Sequence, residues 1–360
     1  MSERCRTGRM GAWIRGAHWA VLGSASLLGT ACAAPRFGGP VAAEAVPAEP
    51  PSAAHVAQVR ERAIELLVAE AAGPVPERRA NAIEALLLAP ARLKPVLPAA
   101  LADPNPGVRA VAAMVVGRGA VTEAAGQAEA LLADPSPFVR AAAIYALRRA
   151  GRAVDPSPLG PMLVDPNPRL RAHAAFILGE LGEQSALPML REAARDPMLR
   201  ARQAEVRITL LQLAEARIKL GDEEALHEVR AALYPSRPED LEATALAAQI
   251  IGQVRDRGSV DQLIYLTARR DDVGNLMPAE IRLAAARSLA QMGLREGDFL
   301  AREFAASRLA PLRAQAAILY GEISRTEHIP ALEAMLEDPD PVVRLAAAAT
   351  VLDVTDGPQS

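Results

Sequence analysis

Between residues 103 and 117 the chain reads DPNPGVRAVAAMVVG, and its apolar residues Val108, Ala112, Val115 and Val116 stand at i, i+4, i+7 and i+8. That spacing is one face of an α-helix. The stretch comes back as DPSPFVRAAAIYALR from residue 134 and as DPNPRLRAHAAFILG from residue 165. In each copy a short polar residue precedes a proline: Asn105, Ser136, Asn167 and, in a late copy, Asp340. An N-cap followed by proline at the first helical position predicts that a helix starts there. Ala112, Ala143, Ala174 and Ala347 fall four residues into the stripe, where a small side chain lets a neighbouring helix approach closely. A second helix is predicted upstream in LPMLREAARD and IPALEAMLED, with Pro95, Pro188 and Pro330 each eight residues before the aspartate of their copy.

The aspartates Asp103, Asp134, Asp165 and Asp196 are spaced by 31, and Arg109, Arg140, Arg171 and Arg202 follow each of them by six. Asp338 and Arg344 repeat the rule, and Arg282, Arg313 and Arg344 are again 31 apart. Two short helices joined by an Asp-Pro turn cannot bury their apolar faces alone, but stacked copies share a continuous core. The predicted fold is therefore all-α, an α-solenoid of about nine antiparallel helix pairs over residues 53–355. At roughly 10 Å per pair it would form an arc on the order of 80 to 90 Å long.

The motif DP-x-P-x-VR-x-AA-x-x-LG resembles the HEAT repeat, in particular the bacterial subtype called PBS-lyase HEAT-like, most strongly over residues 92–202 and 277–354. The resemblance implies a hydrogen-bonded ladder of turn aspartates and arginines. It would carry over to Asp103 with Arg109, Asp134 with Arg140, Asp165 with Arg171, Asp196 with Arg202, and Asp338 with Arg344. The middle departs from the pattern. Thr244 takes the arginine position, and the steps from Arg202 to Thr244 to Arg282 are 42 and 38. The surplus is expected in a longer helix around Leu199 to Leu220 and in loops near 235–239 and 271–277.

The composition is 51% hydrophobic yet only 3% aromatic, so Ala, Leu, Val and Ile must do the packing. Four arginines and one glutamate lie in residues 1–31, and the remainder carries 36 basic against 42 acidic groups. That balance argues against a nucleic-acid partner. Arg4, Arg6, Arg9 and Arg15 precede the uncharged run AHWAVLGSASLLGTAC, the order of an export signal, with Met1 and Met10 both usable as the start. The run is shorter than the roughly 20 apolar residues of a spanning helix. Its end, Leu28-Gly29-Thr30-Ala31-Cys32, resembles the lipobox of bacterial lipoproteins, which implies cleavage after residue 31 and lipidation of Cys32. Ordinary secretion with cleavage near Ala31 or Ala34 is the alternative. Residues 32–52 hold Pro35, Pro40, Pro47, Pro50 and Pro51 and read as a Pro/Ala-rich tether reaching up to about 60 Å. Residues 356–360 read as a disordered tail. Cys5 falls inside the signal, so the mature chain keeps one cysteine and forms no internal disulfide.

Candidate chemistry is sparse. His55, His173, His227 and His328 lack a second histidine or cysteine at i+3 or i+4, so no metal site is predicted. His173 takes a position held elsewhere by Val111 and Ala142 and reads as a packing residue. HEAT-fold deoxyhypusine hydroxylases bind iron through several His-Glu pairs, whereas here only His227-Glu228 has that order. The family name suggests bilin attachment, but no phosphate loop, nucleophile elbow or available catalytic cysteine accompanies it. Arg148, Arg149 and Arg152 read as cations at a helix C-terminus. Asp271, Asp272 and Asn275 read as a polar loop rather than a cation site. The sequence thus leads to the expectation of a chain that is no enzyme, needs no cofactor, and is lipid-anchored through Cys32 in the cell envelope, on the periplasmic or surface side. Its solenoid face would bind a protein or peptide partner. Two alternatives stay open: an envelope enzyme or a metal- or ligand-binding protein with a site in the irregular 222–277 region, and a self-associating structural component.

Overall fold

The computed structural model describes residues 51–198, 201–270, 274–323 and 327–356. The signal, the Cys32 lipobox, nearly all of the tether, the last four residues, and Asp271 and Asp272 lie outside them. The described residues form nine helix pairs. The chain opens with α1 (Ala53–Ala71) and α2 (Pro76–Ala85). Then α3 (Pro90–Leu93) and α4 (Leu97–Leu101) precede α5 (Pro106–Arg118), α6 (Ala125–Ala130) precedes α7 (Pro137–Arg149), and α8 (Leu159–Met162) precedes α9 (Pro168–Leu181). The remaining pairs are α10 (Leu187–Arg195) with α11 (Gln203–Lys219), α12 (Glu224–Ala231) with α13 (Leu241–Val254), α14 (Val260–Ala268) with α15 (Ala279–Gln291), α16 (Phe299–Ala305) with α17 (Ala310–Ile323), and α18 (Ile329–Leu336) with α19 (Pro341–Thr355). Apart from one isolated bridge between Arg270 and Leu276, no strand occurs among the described residues.

Local chemistry sets the helix starts. Asn105 Oδ1 accepts from the amide of Gly107 at 2.8 Å, and Asn167 and Asp340 cap their helices in the same way. Ser136 holds the cap position of α7 without a side-chain bond; there the Asp134 carboxylate accepts from the Ser136 amide at 2.8 Å instead. That aspartate contact recurs at Asn105, Asn167 and Asp340, so the turn is an Asx-turn. The alanines at the stripe position are fully buried, Ala112, Ala143, Ala174 and Ala347 among them.

The second helices of successive pairs stack directly on one another, from α2 through α5, α7, α9, α11, α13, α15 and α17 to α19, whereas the first helices touch their counterparts only slightly. The second helices are thus the inner layer of a curved stack. That stack closes on itself. Helix α1 packs along α19, and α19 also reaches α2. One hydrophobic cluster consequently includes Val59, Ala63 and Leu67 together with Val343, Val351 and Leu352, and a second, around α12 to α15, completes the circuit. The extended arc expected from the sequence is therefore corrected to a ring whose two ends cap each other. Nine inner helices at about 10 Å spacing give a ring of roughly 14 Å radius, which leaves a lumen that long side chains can fill.

Candidate functional site

The turn arginines link one pair to the next. Arg109 donates to both oxygens of Asp134, one repeat on, at 2.8 and 3.0 Å, and to its own turn at the carbonyl of Asp103 at 2.7 Å. Arg79 does the same to Asp103, and Arg313 to Asp338. Arg171 Nη1 stands 2.8 Å from the Asp196 carboxylate. Arg140, Arg171 and Arg344 donate to the carbonyls of Asp134, Asp165 and Asp338 in their own turns. Hydrogen bonding to Arg109 holds the Asp134 carboxyl below the ordinary carboxylate range.

Arg202 is a correction. It is 81% exposed and donates to Glu205, through its guanidinium and its backbone amide, and not to Asp196. The reason lies in the helix: α5, α7 and α15 end nine residues after their arginine, whereas α11 runs on to Lys219. Its unit has been lengthened at the N-terminal end, and the 31-residue step to Arg202 falls on the wrong turn. Further along, Thr244 Oγ1 donates to the carbonyls of Ala232 and Asp240 where other units use a guanidinium. Arg282 finds Glu303 at 2.8 and 3.1 Å. Asp222, buried beneath Arg191 and Arg217, is held at a pKa of about 2 by the hydrogen bond from Arg191 and then by Arg217.

The lumen holds residues that sequence reasoning missed. Arg118 on α5 is paired with Glu84 on α2 at 2.5 Å, both nearly closed to solvent, and its guanidinium lies 5.6 Å from the Phe176 ring centroid on α9. From α11, Lys219 approaches the same ring at 5.1 Å and bridges Glu180 at 2.8 Å and Glu215 at 2.7 Å. Burial pulls the Lys219 ammonium down, but Glu215 and Glu180 outweigh it and leave the pKa raised. For Arg118 burial is likewise outweighed, chiefly by Glu84. On the far side Arg287 and Gln291 reach Glu322. A signal was available. The ninth residue after the turn arginine is polar in every regular copy (Arg118, Arg149, Glu180, Gln291, Glu322 and Asp353) inside an otherwise apolar helix. Their ion pairs join neighbouring inner helices: Glu84 of α2 with Arg118 of α5, Glu180 of α9 with Lys219 of α11, and Arg287 of α15 with Glu322 of α17.

The other candidates resolve as packing or surface groups. His173 Nε2 bonds the Phe138 carbonyl at 3.0 Å with its ring against Phe138, and His328 packs on Tyr320. The Glu228 carboxylate beside His227 accepts from Arg217. Arg148 caps the Val154 carbonyl and pairs with Glu183. Among the described residues no group of three His, Cys, Asp or Glu could hold a metal ion, and no helix is long and apolar enough to cross a membrane.

The outer layer of the irregular segment differs. Of the four tyrosines in the chain, Tyr145 and Tyr320 are buried, whereas Tyr234 is 64% and Tyr265 53% exposed. Gln262 on α14 donates to the Leu233 carbonyl, which brings the α12 end carrying Tyr234 beside the helix carrying Tyr265. Arg269 lies over the Tyr265 ring at 5.5 Å.

The sequence matches the HEAT repeats family over residues 93–159 and 156–247 and the HEAT repeat family over residues 328–357. No curated protein matches it. Among solved structures it is similar to a chain of the CpcE and CpcF complex of phycocyanin lyase from Nostoc sp. PCC7120, at 19% identity and TM-score 0.36, covering 72% of this chain and 94% of that one. It is also similar to human deoxyhypusine hydroxylase in complex with glycerol, at 18% identity and TM-score 0.33, covering 84% and 97%. The expectation that this chain is no enzyme is withdrawn, since a chain of a phycocyanin lyase complex and a deoxyhypusine hydroxylase are among the structures it is similar to. By its repeats and their stacking, the chain is an α-solenoid of HEAT repeats, matched over residues 93–247 and 328–357.

Proposed function

We propose that the chain is a protein-binding scaffold of the cell envelope, exported by residues 1–31, lipidated at Cys32, held on a tether of residues 32–52, and binding through the outer layer of its 53–355 solenoid. The observation that carries the binding reading is the exposed pair Tyr234 and Tyr265, with Arg269 laid over one of the rings. In a chain that is 3% aromatic, two rings turned to water, one just past the end of α12 and one on α14, are of the residue type that dominates protein interfaces. Arg237, 60% exposed at the side chain, stands three residues from Tyr234 and offers a charged rim. The partner is a protein surface that covers the two rings and presents oxygen acceptors to Arg237 and Arg269. The ring form favours this surface over the concave one, because the inner helices spend their polar groups on ion pairs with one another.

The test is quantitative crosslinking in cell envelopes with wild type, the pair Tyr234→Ala and Tyr265→Ala, and the control Leu309→Ala, which removes an equally exposed apolar side chain elsewhere. A partner lost only with the tyrosine pair supports the reading, and equal recovery from all three overturns it. Anchoring is tested separately by Cys32→Ser, which should move the protein from the membrane to the soluble fraction.

A further inference from the structure

We infer that the groove formed by α2, α18 and α19 is a helix-binding site, filled in this chain by its own α1, and that α1 of a second copy can fill it in exchange. Every other junction in the ring is bridged by the chain itself; the seam between α19 and α1 is closed by non-covalent contacts alone. Helix α1 is also the longest among the described residues, at 19 residues, and it inserts Val56, Val59, Ala63, Ile64 and Leu67 as one buried stripe.

The groove reads that helix by charge as well as by shape. Arg60 donates to the carbonyl of Leu88 at 2.9 Å, and to the carbonyl of Leu352 at 3.3 Å and Thr355 Oγ1 at 2.9 Å. These acceptors are the ends of α19 and of the helical turn that follows α2, where carbonyls lack intrahelical donors and the helix dipole favours a cation. On the outside, Glu333 of α18 takes Arg62 at 2.8 Å and His55 at 2.9 Å, and Glu337 takes the other nitrogen of Arg62 at 2.5 Å. The apolar stripe and the basic groups of α1 are thus complementary to a surface found elsewhere on the same chain, and a heterologous contact of this kind can be made in cis or between two copies. Only Ala72 to Val75 connect α1 to α2. That link is held folded back by Arg79 on the Gly73 carbonyl at 3.1 Å and by Arg78 with Glu70 at 3.4 Å. In the monomer the short link keeps α1 in its own groove. A link too short to fold back leaves the helix only the groove of a neighbour.

The experiment is light scattering on size-exclusion fractions of the full chain lacking Gly73 and Pro74. The expected product is a dimer of twice the monomer mass in which α1 is as protected from protease as in the wild type, and adding Arg60→Ala should return it to monomer. A monomer with α1 cleaved would overturn the inference, because the groove would then fail to accept the helix in trans. Should the shortened chain not fold, wild type refolded from denaturant as a mixture of tagged and untagged copies gives an independent reading. Mixed dimers that increase with refolding concentration support the exchange, and monomer at every concentration overturns it.

Discussion

Arg60 on the first helix donates to the carbonyl oxygen of Leu352 on the last, 3.3 Å away across 292 positions of sequence. A solenoid normally needs polar caps at its ends, since each terminal repeat would otherwise leave an apolar face in water. Here each end is the cap of the other, and the ring has no exposed terminal face among the described residues.

Arg109 is expected to be among the costliest turn residues to remove. Arg109→Ala leaves the Asp134 carboxylate, 6% exposed, without the donor that bonds both its oxygens, and should cost about 3 kcal/mol. Arg202→Ala should leave the midpoint of chemical denaturation unchanged, because that side chain is 81% exposed. Urea denaturation of the two variants side by side checks both.

How much of this was legible depends on which residues were asked to carry information. The turn, the prolines and the stripe alanines repeat because every unit needs them, so one sequence reveals the helix pairs. Arg202 was misread because identical spacing masks an inserted helical turn before Lys219. The lumen escaped because its position is polar throughout but changes identity from copy to copy, Arg118 becoming Glu180 and then Gln291. Ring closure could not be read at all. Curvature is the sum of small rotations at nine junctions, and the seam residues Arg60, Arg62 and Glu333 belong to no repeated motif.

The lumen pair behaves as a buried ion pair. Arg118→Leu alone strands Glu84 and should destabilise by about 3 to 5 kcal/mol, whereas Arg118→Leu with Glu84→Leu should be close to neutral. A double-mutant cycle by denaturation measures the difference. A double variant as unstable as the single one would mean that the charges support the ring beyond their mutual pairing.

Gly117 is the next-to-last residue of α5, where alanine would ordinarily be the better helix former. A Cβ there would stand 2.5 Å from the Tyr145 ring and 3.1 Å from Ala146 Cα, between α5 and α7. Gly117→Ala is therefore expected to destabilise, by about 1 to 3 kcal/mol, and thermal melting gives the sign directly.

Acid should loosen the ring in a defined window. Asp222 has its pKa lowered to about 2 in the folded chain, so its contribution is fully present above the unfolded carboxyl value near 3.8 and is lost as pH falls through about 2. With Arg191 45% exposed and screened, the contribution is about 1 to 2 kcal/mol. Asp134, Asp256 and Asp338, lowered by their own arginines, act in the same direction. Stability measured from pH 5 down to pH 2 should fall for the wild type and fall less for Asp222→Asn, which starts lower.

The most direct test of the closed ring is the distance between its two ends. Spin labels at Gln58→Cys on α1 and Ala334→Cys on α18, both at exposed positions, with Cys5 and Cys32 replaced by Ser, report it by double electron–electron resonance. Packed neighbouring helices place the labels within about 30 Å, in one narrow distribution. A long or broad distribution, as an open arc on the order of 80 Å would give, would contradict the ring.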